Sequence, residues 1–137
     1  MKHSKPLVKT DDDAKALIIE TLSGDHTGGM DLDSIYLVGQ TYYVIEFLKC
    51  DTVRPFDSHP KRYWYKSKQK FISLWNIAQK LEGVLYLVCY EDSREQFKVI
   101  KVDDLDTTGI TKERVKKWNF QNFATWFRTL NKMALNS

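Results

Sequence analysis

Asp31, Asp33 and Glu46 are the residues whose spacing could do chemistry, and all three lie in the stretch 29–51, GMDLDSIYLVGQTYYVIEFLKCD. Two β-branched and aromatic runs, SIYLV and TYYVI, flank Gly39-Gln40, and Gly39 suits the turn between them. A two-residue loop sets Val38 against Thr41, and the same register carried along the hairpin sets Asp33 against Glu46. Opposed residues share a face with Cβ atoms roughly 5 Å apart, where like charges repel. Asp31, two residues before Asp33, falls on that same face of a strand. Carboxylates held together in an otherwise apolar hairpin suit a divalent cation, because hard cations collect carboxylate oxygens. Lys49, three residues after Glu46, is the nearest basic side chain in the sequence.

A second cluster is basic. Lys61, Arg62, Lys66, Lys68 and Lys70 interleave with Tyr63, Trp64 and Tyr65. They fall in the first half of an expected helix, where cations oppose the macrodipole. Residues so misplaced for stability point to an anionic partner, although any single lysine there could equally be part of a solvated face.

The elements that must position these groups follow from periodicity. Asp11-Asp12-Asp13 offers N-caps to a first helix carrying Ala14, Leu17, Ile18 and Leu22, closed by Ser23-Gly24. Glu20 lies off its main stripe and reads most simply as a surface residue. Both faces of the hairpin are largely apolar, so the sheet is expected to be covered on both sides. After the loop 50–60, Asp57 or Ser58 can cap a long helix with Pro60 in its first turn. Phe71, Leu74, Trp75, Ala78 and Leu81 form its core stripe, and Gly83 stops it.

The apolar run 84–90 is then a buried strand. A right-handed crossover through the long helix sets it parallel to the strand of Glu46. Phe97, Val99, Ile100 and Val102 mark another strand, 105–109 a loop and 112–117 a short helix. Asn119 caps a last helix with Phe123, Trp126, Phe127, Leu130 and Met133 as its core stripe.

At 137 residues, 42% hydrophobic and 28% charged, the chain suits one domain, with residues 1–10 as a loose N-terminal arm. The fold class expected is α/β (α+β), a mixed central sheet with helices on both faces. No apolar run is long enough to span a membrane, and MKHSKPLVKTDDD has no export-signal core, so a cytoplasmic protein is expected. Cys50 and Cys89 lack metal-site spacing and read as reduced thiols; His3, His26 and His59 are scattered. Six glycines form neither GxGxxG nor a P-loop. A net charge of +3 says little about partners by itself.

An acidic residue at a strand start, a short hairpin and then VIEFLK together resemble the PD-(D/E)xK nuclease superfamily. The order helix, antiparallel strands, helix, strand over residues 13–102 is similar to its restriction endonuclease-like core. The resemblance implies a hydrolase, an endonuclease in which one or two divalent ions, Mg²⁺ or Mn²⁺, activate a water against a phosphodiester. Asp33 or Asp31 matches the first acidic ligand, Glu46 the second, and Lys49 the assisting lysine. Glu20 and Gln79 match accessory helix residues of some members. The family spacing puts the lysine two residues after the glutamate, where this chain has Leu48. A β-bulge at Phe47-Leu48 would bring Lys49 round; otherwise Lys66 or Lys70 substitutes, or the protein is not catalytic.

Three functions are therefore expected in order. The first is a metal-dependent nuclease, acting on DNA rather than RNA, that grips phosphates through Lys61, Arg62, Tyr63, Trp64, Lys66, Lys68 and Lys70. A homodimer would let such a nuclease cut both strands. The second is an inactive nuclease-fold protein that binds nucleic acid. The third is a protein-interaction module using Tyr63, Trp64 and Tyr65.

Overall fold

The structure is a computed structural model and describes residues 12–136. The expected N-terminal arm, 1–10, and the cap from Asp11 lie outside the described residues. Strands β1 (Ser34–Val38) and β2 (Thr41–Lys49) form the expected antiparallel hairpin. Val38 pairs with Thr41 and Ser34 with Ile45, the register that a two-residue turn imposes. Gly39 takes a φ of +61°, a conformation that costs glycine little.

Helix α2 (Trp64–Lys80) carries the chain from β2 to β3 (Val84–Tyr90), which lies parallel to β2 with Glu46 paired to Leu87. Gly83 closes the helix, its amide reaching the carbonyl of Ala78 at 2.8 Å. A Cβ at Gly83 would collide with the backbone carbonyl of Tyr42, so glycine lets the helix end against β2. The approach to α2 differs from the expected cap. Pro55–Asp57 and Pro60–Tyr63 form two 3-10 turns, and the ring Nδ1 of His59 accepts the amide of Lys61.

The segment 97–118 departs further from expectation. Strand β4 (Phe97–Asp106) turns directly into β5 (Gly109–Trp118), so there is no loop at 105–109 and no helix at 112–117. Lys, Glu and Arg at 112–117 favour helix locally, but pairing with β4 overrides that preference. Cross-element contacts secure the strand: Arg114 reaches Asp103 at 3.1 Å and Glu113 meets His59 at 2.6 Å. The five strands lie in chain order in one mixed sheet, antiparallel except for the β2–β3 pair.

The sheet is covered on both faces, as its apolar strands require. On one face Val44 and Leu48 pack with Leu85, Leu87 and Ile100 beneath Trp64, Phe71, Leu74 and Ala78. On the other, Ile45, Val88 and Val99 meet Phe123 and Leu130 of α3 (Phe120–Leu135). Asn119 caps α3 by accepting the amide of Asn122, as its sequence indicates. Helix α1 (Asp13–Leu22) buries none of its residues, so its expected stripe is no core stripe. The described residues form a single-domain α+β fold with a five-stranded mixed sheet and three α-helices. Among the described residues no helix is long and apolar enough to cross a membrane.

Candidate active site

Alternation along β2 decides what reaches the site. Ile45 and Phe47 face α3, whereas Val44, Glu46 and Leu48 face α2. Glu46 is therefore carried inward, to 3% exposure, at the edge of the core beneath α2. Asp33 immediately precedes β1 and lies beside it, its carboxylate accepting the amide of Phe47 at 2.9 Å. Lys70 reaches down from α2 to place Nζ 3.4 Å from Glu46 Oε1. The Lys70 side chain is half-exposed, with its ammonium end directed at the buried Glu46.

The second carboxylate oxygen, Glu46 Oε2, is buried with no hydrogen-bond partner among the described residues. An orphaned charged oxygen in a core edge is costly and calls for a cause. Burial pushes the Glu46 carboxyl up to about 7, and hydrogen bonding to and repulsion from Asp33 push the same way. Lys70 pulls in the opposite direction without cancelling them. Two ionised carboxylates are acceptors only. The orphaned oxygen is satisfied by a proton or by a cation.

A cleft of about 780 Å³ opens over these groups. Asp33, Glu46, Phe47 and Lys70 form its floor, while Lys15, Ile18, Ile19 and Leu22 of α1 form a wall. Ile18 and Leu22 of the expected α1 stripe thus line a cleft instead of a core, whereas Leu17 is exposed outside it. Asp31 lies in the same cleft, paired to Lys15 at 2.9 Å and well exposed. A second cleft of about 480 Å³ shares Phe47 and Lys70 with the first and runs along the start of α2.

The other expected site residues lie elsewhere. β2 pairs with β3 in unbroken register through Lys49, so there is no bulge to turn that side chain toward Glu46. Lys49 instead contacts Asp92 at 3.1 Å and Asp51 at 3.9 Å. Glu20 and Gln79 are exposed and line neither cleft. Trp64 is a core residue, 3% exposed, stacked on Phe71 and donating Nε1 to the carbonyl of Thr107 at 3.0 Å. It cannot stack on a base. Tyr63 is half-buried against Phe71, and desolvation raises its hydroxyl to about 12. Of the three expected aromatic contacts only Tyr65 is well exposed, with Lys68 over its ring. Arg62 and Lys66 line the second cleft with Lys70, whereas Lys61 and Lys68 line neither.

Among the described residues no group of three or more His, Cys, Asp or Glu side chains converges to hold a metal ion. Two carboxylates are nonetheless a sufficient protein contribution for Mg²⁺, which keeps several waters and completes its shell with substrate phosphates. The orphaned Oε2 of Glu46 beside Asp33 fits such a hard cation. Compared with protein-family models, curated proteins and solved structures, the chain matches none. The functional reading rests on the geometry.

Proposed function

We propose that the protein is a divalent-metal-dependent nuclease of restriction endonuclease-like fold, acting in the cytoplasm on nucleic acid, DNA in preference to RNA. The observation that carries this reading is the buried Glu46 carboxylate, with one unpartnered oxygen, meeting Asp33 and Lys70 on the floor of an open cleft. A purely structural carboxylate placed so would cost stability without return; a ligand of opposite charge supplies the reason.

In this reading Asp33 and Glu46 hold one Mg²⁺ or Mn²⁺. When bound, the ion lowers the pKa of a coordinated water and withdraws charge from the scissile phosphate. The Phe47 amide fixes the Asp33 carboxylate, and Lys70 orients the Glu46 carboxylate from the other side. The ammonium of Lys70 would stabilise the negative charge that grows on the phosphate, the role expected of Lys49. Holding the ion requires Glu46 to shed its proton, so affinity for the ion rises as the pH passes about 7. The described residues present one such site, and a homodimer would be required to cut two strands together.

A second reading, nucleic-acid binding without catalysis, is favoured by one observation: Lys49 is engaged by Asp92 and Asp51, away from the acids. It predicts binding that persists in chelator and yields no product. For a protein-interaction module built on the aromatic triplet, Tyr65 alone remains well exposed and Trp64 is in the core.

The test is thermal unfolding with and without Mn²⁺ for wild type and Asp33→Asn. An ion at about 100 times its dissociation constant stabilises the fold by roughly 2.7 kcal/mol. The reading requires that gain in the wild type and its loss in the variant. Equal shifts in both proteins place the ion elsewhere.

A further inference from the structure

We infer that the second cleft is a track for one strand of nucleic acid, leading single-stranded substrate along α2 to the acids. This rests on the nuclease reading of the first cleft and adds the form of its substrate. Arg62, in the 3-10 turn before α2, and Lys66 and Lys70 recur every four residues, and all three line this cleft. From Lys66 to Lys70 the four residues of helix advance about 6 Å, a step of the order between successive phosphates of an extended strand. All three are exposed, and neither Arg62 nor Lys66 has an ion pair among the described residues. Most other cations near this face are spoken for: Lys49 by Asp92, Arg54 by Glu91 and Lys98 by the carbonyl of Ser58.

The number of cation rows favours one strand over two. Lys49 also lines this cleft but is paired with Asp51 at 3.9 Å and with Asp92 at 3.1 Å, which leaves Arg62, Lys66 and Lys70 as one row along the helix. A duplex brings a second backbone, for which the described lining of the cleft offers no second row. A single strand needs only one row. Lys70 lines both clefts, so a backbone held by Arg62 and Lys66 arrives at Glu46 through it. This is the electrostatic groove of single-strand binding, which tracks the backbone without reading sequence.

The experiment measures binding of a fluorescent oligothymidylate of about 12 nucleotides, and of a duplex of equal length, in chelator so that no cleavage intervenes. Proteins compared are the wild type, Arg62→Ala/Lys66→Ala and Lys61→Ala/Lys68→Ala, the last removing the same charge outside the cleft. The expected result is tighter binding of the single strand than of the duplex. The cleft double variant then loses about tenfold or more, and its log–log salt slope falls by about 1.4, at ~0.7 per lost contact. The control double variant stays close to the wild type. Equal losses in the two doubles, or a preference for duplex, would overturn the track. Nuclease activity can fail while this binding pattern holds, and the pattern can fail while cleavage persists, so the two proposals are separable.

Discussion

Replacing Glu46 by glutamine should stabilise the protein at alkaline pH and leave it unchanged in mild acid. The side chain is 3% exposed, and its carboxyl is raised from 4.5 to about 7 by burial, by Asp33 hydrogen bonding and by Asp33 charge. A raised carboxyl pKa means the native state holds a proton that the unfolded chain has released. Stability therefore falls as the pH climbs from the unfolded value through about 7. At ~1.4 kcal/mol per pH unit, the displacement amounts to about 3 kcal/mol once Glu46 is ionised. Glutamine keeps the shape and carries no charge. In urea titrations, Glu46→Gln and wild type should agree near pH 4, below the unfolded value of 4.5, and differ by up to about 3 kcal/mol near pH 8.5. In melting experiments the gap is roughly 10 °C for a chain of this size. Mn²⁺ should close it by stabilising the wild type alone. A variant less stable than wild type at pH 8.5, or a difference independent of pH, would refute the reasoning.

Lys70→Ala removes the cation that lowers the Glu46 pKa, so the carbon-13 titration of that carboxyl should move above its wild-type midpoint; an unchanged midpoint would remove Lys70 from the site. Trp64→Ala should cost about 3–5 kcal/mol in urea unfolding, as expected of a buried indole. A loss under about 1 kcal/mol would return Trp64 to a surface role. Arg54 makes a two-pronged contact to Glu91, and with Ser93 it holds that carboxyl down at about 2. The stability Glu91 contributes is present above its unfolded pKa near 4.5 and is lost as the pH falls from there toward about 2. Arg54→Ala should flatten the stability profile in that window, and a profile as steep as the wild type would contradict the assignment.

Local chemistry explains what was legible in the sequence. Gly39 fixed the turn, the turn fixed the register, and the register brought Asp33 to Glu46 across an otherwise apolar sheet. The parallel β3 and the cap at Asn119 follow from equally local signals. Strand β5 was hidden because Thr111–Lys117 is charged and helix-prone, and only its partner β4 makes it a strand. The aromatic triplet misled for a related reason: sequence shows that Tyr63, Trp64 and Tyr65 are adjacent, but the helix start turns Trp64 inward and Tyr65 outward. The exchange of Lys49 for Lys70 depends on where a helix lands on a sheet. Alternation alone argues that Lys49 faces away from Glu46, whereas a position one residue before the buried Phe71 only hints that Lys70 can reach it.

The most direct measurement is single-turnover cleavage of an end-labelled single strand in Mn²⁺ at pH 8 by wild type, Asp33→Asn and Glu46→Gln. The account predicts product from the wild type, none in chelator, and a loss of at least about 100-fold in each variant, since either acid is needed to hold the ion. Product formed equally by both variants, or a wild type that binds Mn²⁺ and the strand yet forms no product, would contradict it.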